Sequence, residues 1–391
     1  MAKKKIYICA SAHFPHGDAG ANRIQYIAQG LQLASYDVFV LSTGQTPKTA
    51  VAKDGWFSYA GLPYRNLELA NAKKEKLLSG YLMVSLLKKC GVTQNDIVYL
   101  YGSNSLYISP ILSFCRRKKI KTVIDVVEWH QPFQYPKGEQ DIRYRSSNKT
   151  FTKLSPKTNG IVSISECICD YYTKQGCYTK VFPVIIDAKN IPFDMAKKSQ
   201  DDKIHLIYPG NPMYKDDIGV MLEGLALLSQ EEQSKIVMHL TGVKEEKLRA
   251  FLGEGQTVFD RLGETVCFHG WMEYEDLIAL YQSVDFLYMS RPDNLVTRAN
   301  FPSKLPELMA YAVAPVGNRV GDYYEYLTDG VDSVLFNQNT PEDCRDAIRR
   351  VLSMTKEERN QLCQNARTTV CEKFDYRKWD QKLNEFVENL I

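Results

Sequence analysis

The sequence predicts an α/β protein built as two doubly wound domains facing a cleft. Three observations carry this expectation. The chain has 391 residues, enough for two domains with full cores. Short apolar runs of strand length alternate with helical patterns through both halves. Between the halves, Pro183, Asp187, Pro192 and the polar run 197–202 read as an interdomain linker. The boundaries that follow are a domain over 1–190, a second over 191–374 and a terminal helix over 375–391.

Taken in order, residues 5–10 and 37–41 read as strands flanking a helix over 22–34. Their connecting loop, 13–23, carries Gly17 and Gly20 and opens the helix, a pattern that many such loops share with no ligand. Residues 73–89 form a helix with basic ends and a wide apolar face. It serves either as a crossover helix packed on the sheet or as a surface that meets a membrane. A strand follows over 96–100, then a helix from about Leu106 that ends in the basic run Arg116-Arg117-Lys118-Lys119. The next strand, 121–127, runs into Glu128-Trp129-His130, where carboxyl ends of parallel strands line a ligand cleft.

The polar, basic stretch 141–158 reads as a mobile loop with a short helix. Residues 160–165 form a strand, Ser165 caps a helix, and 181–186 is the last strand of the first half. The second half opens with a strand over 203–208, a loop over 209–217 and a leucine-rich helix to about Leu228. Strands over 237–242, 266–271 and 284–289 continue the alternation, and Leu335-Phe336 follows later. Two helices close the chain, one from Pro341 and one over 376–390. Trp379, Leu383, Phe386 and Leu390 give the last one an apolar stripe.

Composition narrows the class. With 44% hydrophobic and 24% charged residues the chain reads as soluble and globular, and no run of 18 apolar residues offers a membrane span. Its basic N-terminus leads into a first strand rather than a signal peptide. The ten cysteines are scattered and read as buried free thiols of a reducing cytoplasm. Among six histidines only His13-x-x-His16 has metal-like spacing, and no metal is expected. Residues 1–190 hold 26 Lys and Arg against 13 Asp and Glu, whereas the remainder holds 23 against 33. The halves therefore face different electrostatic partners.

Residues 290–330 carry the chemistry. The strand 284–289 feeds a polar loop, and that loop feeds a helix opened by Pro302 and Ser303. Free backbone N–H groups and the positive helix end make an anion site there. Lys304 adds charge, Ser303 a hydroxyl, and Glu307, one turn in, accepts hydrogen bonds from a pair of sugar hydroxyls. A nucleoside diphosphate with its ribose fits that set.

This segment resembles the donor-binding core of family 4 retaining glycosyltransferases of GT-B fold (glycosyl transferases group 1). The matching residues are Phe301-Pro302-Ser303-Lys304-Leu305-Pro306-Glu307-Leu308-Met309-Ala310, then Pro315-Val316, Gly321, Glu325 and Asp329-Gly330. In the loop 209–217, Gly210 and Lys215 match the family's glycine and lysine, and Asn211 stands where it has an arginine. The first of the family's two glutamates falls on Ala299.

The resemblance implies transfer of a sugar from a nucleotide-sugar, with UDP as the leaving group, retained anomeric configuration and no required metal or other cofactor. It implies donor contacts at Gly20, Gly210, Lys215, Arg291, Ser303, Lys304, Leu305 and Glu307, and catalytic roles for Lys215 and Glu128. Arg23 and His130 are implied at the acceptor. Lys215 and Lys304, with Arg291 or Arg298, are the cations that stabilise the departing diphosphate. The last helix crosses back onto the first domain.

The implied acceptor is a saccharide, a lipid-linked or a protein-linked glycan of cell-surface polysaccharide or glycan biosynthesis. Nucleic acid is not an expected partner. The basic clusters 3–5, 73–89 and 116–121 suit reversible docking to an anionic membrane surface, with the protein cytoplasmic or peripheral on the inner face. With the first glutamate and the loop arginine absent, a non-catalytic GT-B partner that binds sugar and stabilises an active transferase is the alternative. A GT-B sugar-nucleotide epimerase fits the Phe301 to Glu307 residues poorly.

Overall fold

The computed structural model describes residues 3–15, 19–69, 73–211 and 214–390. They divide into two units. The first holds residues up to Ile186 with Ala299–Phe301 and the return segment from Tyr376; the second holds Asp187–Arg298 and Pro302–Asp375. Both are doubly wound α/β domains.

The first unit is an eight-stranded sheet of β1 (Lys5–Ala10), β2 (Asp37–Ser42), β3 (Phe57–Tyr59), β4 (Leu62–Asn66), β5 (Ile97–Tyr101), β6 (Lys121–Val126), β7 (Gly160–Ser163) and β8 (Thr179–Val181). Their order is β3-β4-β2-β1-β5-β6-β7-β8, parallel except for the β3–β4 hairpin. Strands β1, β5, β6 and β7 are buried almost throughout, as expected of strands covered by helices on both faces.

Helix Lys73–Lys89 is a crossover helix. It buries Ser79, Met83 and Leu87, one residue per turn, and packs against helix Ser105–Lys118. A Cβ on Gly80 would lie 2.5 Å from the Tyr107 carbonyl oxygen, so only glycine permits the close approach of the two helices. The opposite face is bare, with Leu77, Leu78, Tyr81 and Leu82 all exposed.

The terminal helix Asp380–Glu388 belongs to this first unit, as expected. All four residues of the stripe (Trp379, Leu383, Phe386 and Leu390) are buried. Phe386 stacks on Tyr178 at 5.2 Å, and the Tyr36 hydroxyl bonds Asn384 and Glu388, each at 2.9 Å. At about 1.5–3 kcal/mol per buried large apolar side chain, this stripe suffices to hold the chain end in place.

The second unit is a six-stranded, all-parallel sheet of β9 (Ile204–Pro209), β10 (Ile236–Thr241), β11 (Val266–Gly270), β12 (Phe286–Met289), β13 (Ala314–Asn318) and β14 (Val334–Phe336). Its order is β11-β10-β9-β12-β13-β14. Among the described residues no helix is long and apolar enough to cross a membrane.

Two expectations are corrected, and two elements went unexpected. The strand placed over 181–186 ends at Val181, because Pro183 has no N–H to continue the ladder. The stretch 141–158 is ordered, not a mobile loop. Helix Ile142–Lys149 runs on into helical turns over Thr150–Leu154 and Ser155–Lys157, anchored by buried Thr150, Phe151 and Leu154. The β3–β4 hairpin went unexpected because its strands are short and interrupted by Pro63. An 18-residue helix, Lys356–Lys373, also went unexpected, although Thr355 and Glu358 form a reciprocal capping box at its start. All ten cysteines are free; four of them are buried and six half-buried. The His13–His16 pair lies outside the described residues, as do the side chains of Lys73 and Lys74.

Candidate functional site

In the second unit, β9 and β12 are neighbours whose connections leave in opposite directions. Open α/β sheets bind ligands at the carboxyl ends of such a pair. Gly210 follows β9 with φ of +99°, a backbone state that favours glycine, and a Cβ there would meet nothing within 4 Å. The loop ends at Asp217, whose side chain caps helix Ile218–Ala226 by accepting from the Val220 N–H. The Asp217 N–H donates to the Ser290 carbonyl at 2.7 Å, and Asn339 bridges Asp217 and Ser290. The loops after β9 and β12 are thus locked together.

Asp216 is the centre they enclose. Its Oδ1 accepts from Arg291 Nε at 3.1 Å, and its Oδ2 accepts from Lys304 Nζ at 2.8 Å and from the Tyr208 hydroxyl at 2.6 Å. Lys304 Nζ also sits 3.7 Å over the Tyr208 ring. Arg291 is wholly buried. Its N–H donates to Asn318 Oδ1 at 2.8 Å, and Asn318 Nδ2 donates back to its carbonyl at 2.7 Å.

Burial pushes the Asp216 carboxyl up, but Lys304 and Arg291 overcome it and hold the group at about 2. Lys304 is lowered, first by burial, opposed by Asp216, and lowered further by Arg291 and by Lys215. Lys215 is half-buried and close enough to press on Lys304 electrostatically. Arg291, Lys304 and Lys215 thus gather around the Asp216 carboxylate, and clustered cations favour an anion.

Glu307 lies one turn into helix Lys304–Met309, near Tyr281. Among the described residues none donates a hydrogen bond to it, and burial raises its carboxyl to about 7. A partly buried carboxylate with no donor from the protein is costly unless a ligand supplies one. Ser303 precedes the helix, half-buried, and its side chain makes no capping bond. The Leu305 side chain is fully buried core, and its N–H donates to the Pro302 carbonyl. Arg298 pairs on the surface with Asp293. Ala299 is fully buried, so no carboxylate stands at that position.

In the first unit, Glu128 and His130 follow β6. Between them Trp129 is anchored at 4.5 Å to both Phe151 and Tyr171. His130 Nε2 lies 3.4 Å from Glu128 Oε2, both partly exposed, with the Tyr135 ring 5.9 Å from His130. Gly20 lies in the first turn of helix Ala19–Leu33 rather than in the loop before it.

Arg23, expected at an acceptor, is instead buried. Its Nε and Nη2 donate to the two Asp125 oxygens at 2.8 and 2.9 Å, Nη1 to the Pro183 carbonyl at 2.9 Å and Nη2 to the Phe182 carbonyl at 3.0 Å. Tyr99 donates a further bond to Asp125 at 2.8 Å. The cluster's hydrogen bonds are thus made within the first unit.

The structure thus brings Lys215, Arg291 and Lys304 together around Asp216, and Glu128 beside His130. Sequence reasoning passed over Asp216, Tyr208 and Asn318. The one available signal was an acid directly after the expected phosphate lysine.

Residues 190–369 match the family model described as glycosyl transferases group 1. A glycosyltransferase from Rickettsia africae ESF-5 superposes with a TM-score of 0.69 at 14% identity, covering 100% of this chain and 99% of that one. Anabaena Alr3699/HepE in complex with UDP and glucose has a TM-score of 0.69 at 13% identity, covering 99% and 100%. A sucrose-phosphate synthase from Thermosynechococcus elongatus has 0.68 at 13%, covering 99% of each chain. No curated protein matches the sequence. These likenesses establish the GT-B glycosyltransferase fold, and together with the family match they support a glycosyltransferase.

Proposed function

We propose that this chain, whose second unit matches the group 1 glycosyltransferases, moves a sugar from a UDP-sugar to a glycan acceptor with retention of configuration and no metal requirement. The observation that carries the reading is the pairing of Glu307, a carboxylate given no hydrogen bond by the described protein, with the cation excess around Asp216. A nucleoside diphosphate answers both at once: ribose hydroxyls donate to Glu307, and the diphosphate takes the charge of Lys215 and Lys304. Arg291, anchored on Asp216 and Asn318, holds the cluster in place.

As the glycosidic bond to the donor breaks, negative charge grows on the leaving diphosphate. Pre-positioned cations stabilise it without reorganisation. Ser303 adds a hydroxyl donor beside them. In the first unit, Glu128 and His130 are the groups assigned to the transferred sugar and the acceptor; within hydrogen-bond reach of an acceptor hydroxyl, Glu128 orients it or takes its proton.

A lipid-linked acceptor draws support from helix Lys73–Lys89. It exposes Leu77, Leu78, Tyr81 and Leu82, with Lys88 and Lys89 exposed at its end. Co-sedimentation with vesicles tests this: binding requires anionic lipid, weakens with salt and falls in L78E/Y81E. Equal binding to neutral vesicles overturns the charge-led docking.

Turnover of a panel of UDP-sugars in the presence of a chelator, with the product anomer read by NMR, tests the proposal. An inverted product overturns retention, and arrest by the chelator overturns metal independence. The buried Ala299 and the Asn211 substitution favour a second reading, a non-catalytic GT-B partner; nucleotide binding with no turnover of any donor would establish it instead.

A further inference from the structure

Strands β9, β10 and β11 place three histidines side by side at one edge of the second sheet. His205 Nε2 lies 2.9 Å from Asp201 Oδ1, His205 Nδ1 2.9 Å from His239 Nε2, and His239 Nδ1 2.8 Å from His269 Nε2. Successive rings are stacked, with centroids 5.3 and 5.1 Å apart. Cys267 pairs in register with His239, and His269, two residues further along β11, is the residue left without a partner where the register between β10 and β11 shifts. Ligand atoms of His239, Cys267 and His269 all lie within 4.8 Å of one another. His239 is buried, while Cys267 and His269 are half-buried on an edge strand, where an ion can enter.

From this geometry we infer that the second unit carries a zinc-type metal site formed by His239 Nδ1, His269 Nε2 and Cys267 Sγ, with a fourth position left for water. Two imidazoles and a thiolate are the donors that a borderline divalent ion prefers. The chain of hydrogen bonds behind His239 prepares it. A carboxylate only accepts, so Asp201 fixes the proton of neutral His205 on Nε2 and leaves Nδ1 as an acceptor. His239 must then donate from Nε2, which turns the Nδ1 lone pair towards His269 and Cys267.

In a metal site, a histidine ligand backed by a carboxylate is the usual supporting arrangement. Here a second imidazole extends it. On binding, Cys267 releases its thiol proton to solvent, and His269 shifts its proton from Nε2 to Nδ1 so that both nitrogens face the ion. The ion clips edge strand β11 to β10.

Titration of the full chain with Co(II) tests the site. One equivalent should give a thiolate charge-transfer band with tetrahedral d–d bands, displaced by Zn(II), and Zn(II) should raise the melting temperature. The C267S variant should lose the charge-transfer band, H269A should lose the zinc-dependent rise in melting temperature, and D201A should weaken affinity about 10–100-fold. C167S/C169S should change nothing. A wild-type protein with neither a cobalt band nor a zinc-dependent melting shift overturns the site and leaves the histidines as a hydrogen-bonded ladder. So does a band that survives C267S. If H269A fails to fold, the wild-type titration and C267S still decide.

Discussion

Each unit has an arginine–aspartate pair buried beside the carboxyl ends of its central strands, and the two pairs differ in what is left over. Around Asp125, one guanidinium meets one carboxylate, a tyrosine hydroxyl and two backbone carbonyls. Around Asp216, one carboxylate is shared by Arg291 and Lys304, with Lys215 close behind. The first cluster is closed and joins four segments of chain. The second gathers three cations on one carboxylate at the carboxyl ends of the strands, where an anion is favoured. Burial of an ion pair does not distinguish structure from function; the charge balance around it does.

The sharpest way to break this comparison is Arg23→Met. It leaves Asp125 buried with only Tyr99, and removing one partner of a buried pair costs about 3–5 kcal/mol. Urea unfolding should show that loss. Lys304→Met should lose less stability, because Asp216 keeps Arg291 and Tyr208. Equal losses would erase the distinction between the clusters.

Next in size is Lys215→Ala, expected to lower kcat about 10²–10³-fold with little change in donor affinity, as found when one donor to a developing charge is removed. A change confined to KM, measured by steady-state kinetics, would make Lys215 a ground-state anchor.

Glu307→Gln should weaken UDP-sugar binding by about 1.5–3 kcal/mol in calorimetry, the worth of a charge-assisted hydrogen bond. Wild-type affinity in the folded variant would remove the ribose assignment.

The last expected effect is on pH dependence. Glu307 is raised from its ordinary value of 4.5 to about 7 in the folded protein. Between these values the folded state holds a proton that the unfolded state has released. The stabilisation is therefore full below about 4.5 and is lost as pH rises to about 7, with a slope of at most about 1.4 kcal/mol per pH unit. Thermal melts of the nucleotide-free protein should show this slope, and E307Q should remove it.

The sequence by itself determined what depends on near neighbours in the chain. Strand length and helical period located the central strands of both sheets, Ser165 announced its helix, and the stripe Trp379, Leu383, Phe386, Leu390 announced a packed terminal helix. The spacing of Lys304 and Glu307 placed them on one short helix, with Ser303 just before it. Elements with weak local signals escaped: the three-residue strand β3, and a helix whose capping box was its only clear marker.

Tertiary structure decided where each charge finds its partner. Arg23 and Asp125 are 102 residues apart, and Asp216 lies 75 from Arg291 and 88 from Lys304. His239 meets His269 only because β10 and β11 are adjacent. Helical and strand periods act over a few residues, whereas Coulombic pairing, burial and ligand geometry depend on strand order. Strand order is set when the sheets assemble, and it closed one arginine–aspartate cluster while leaving the other with charge to offer.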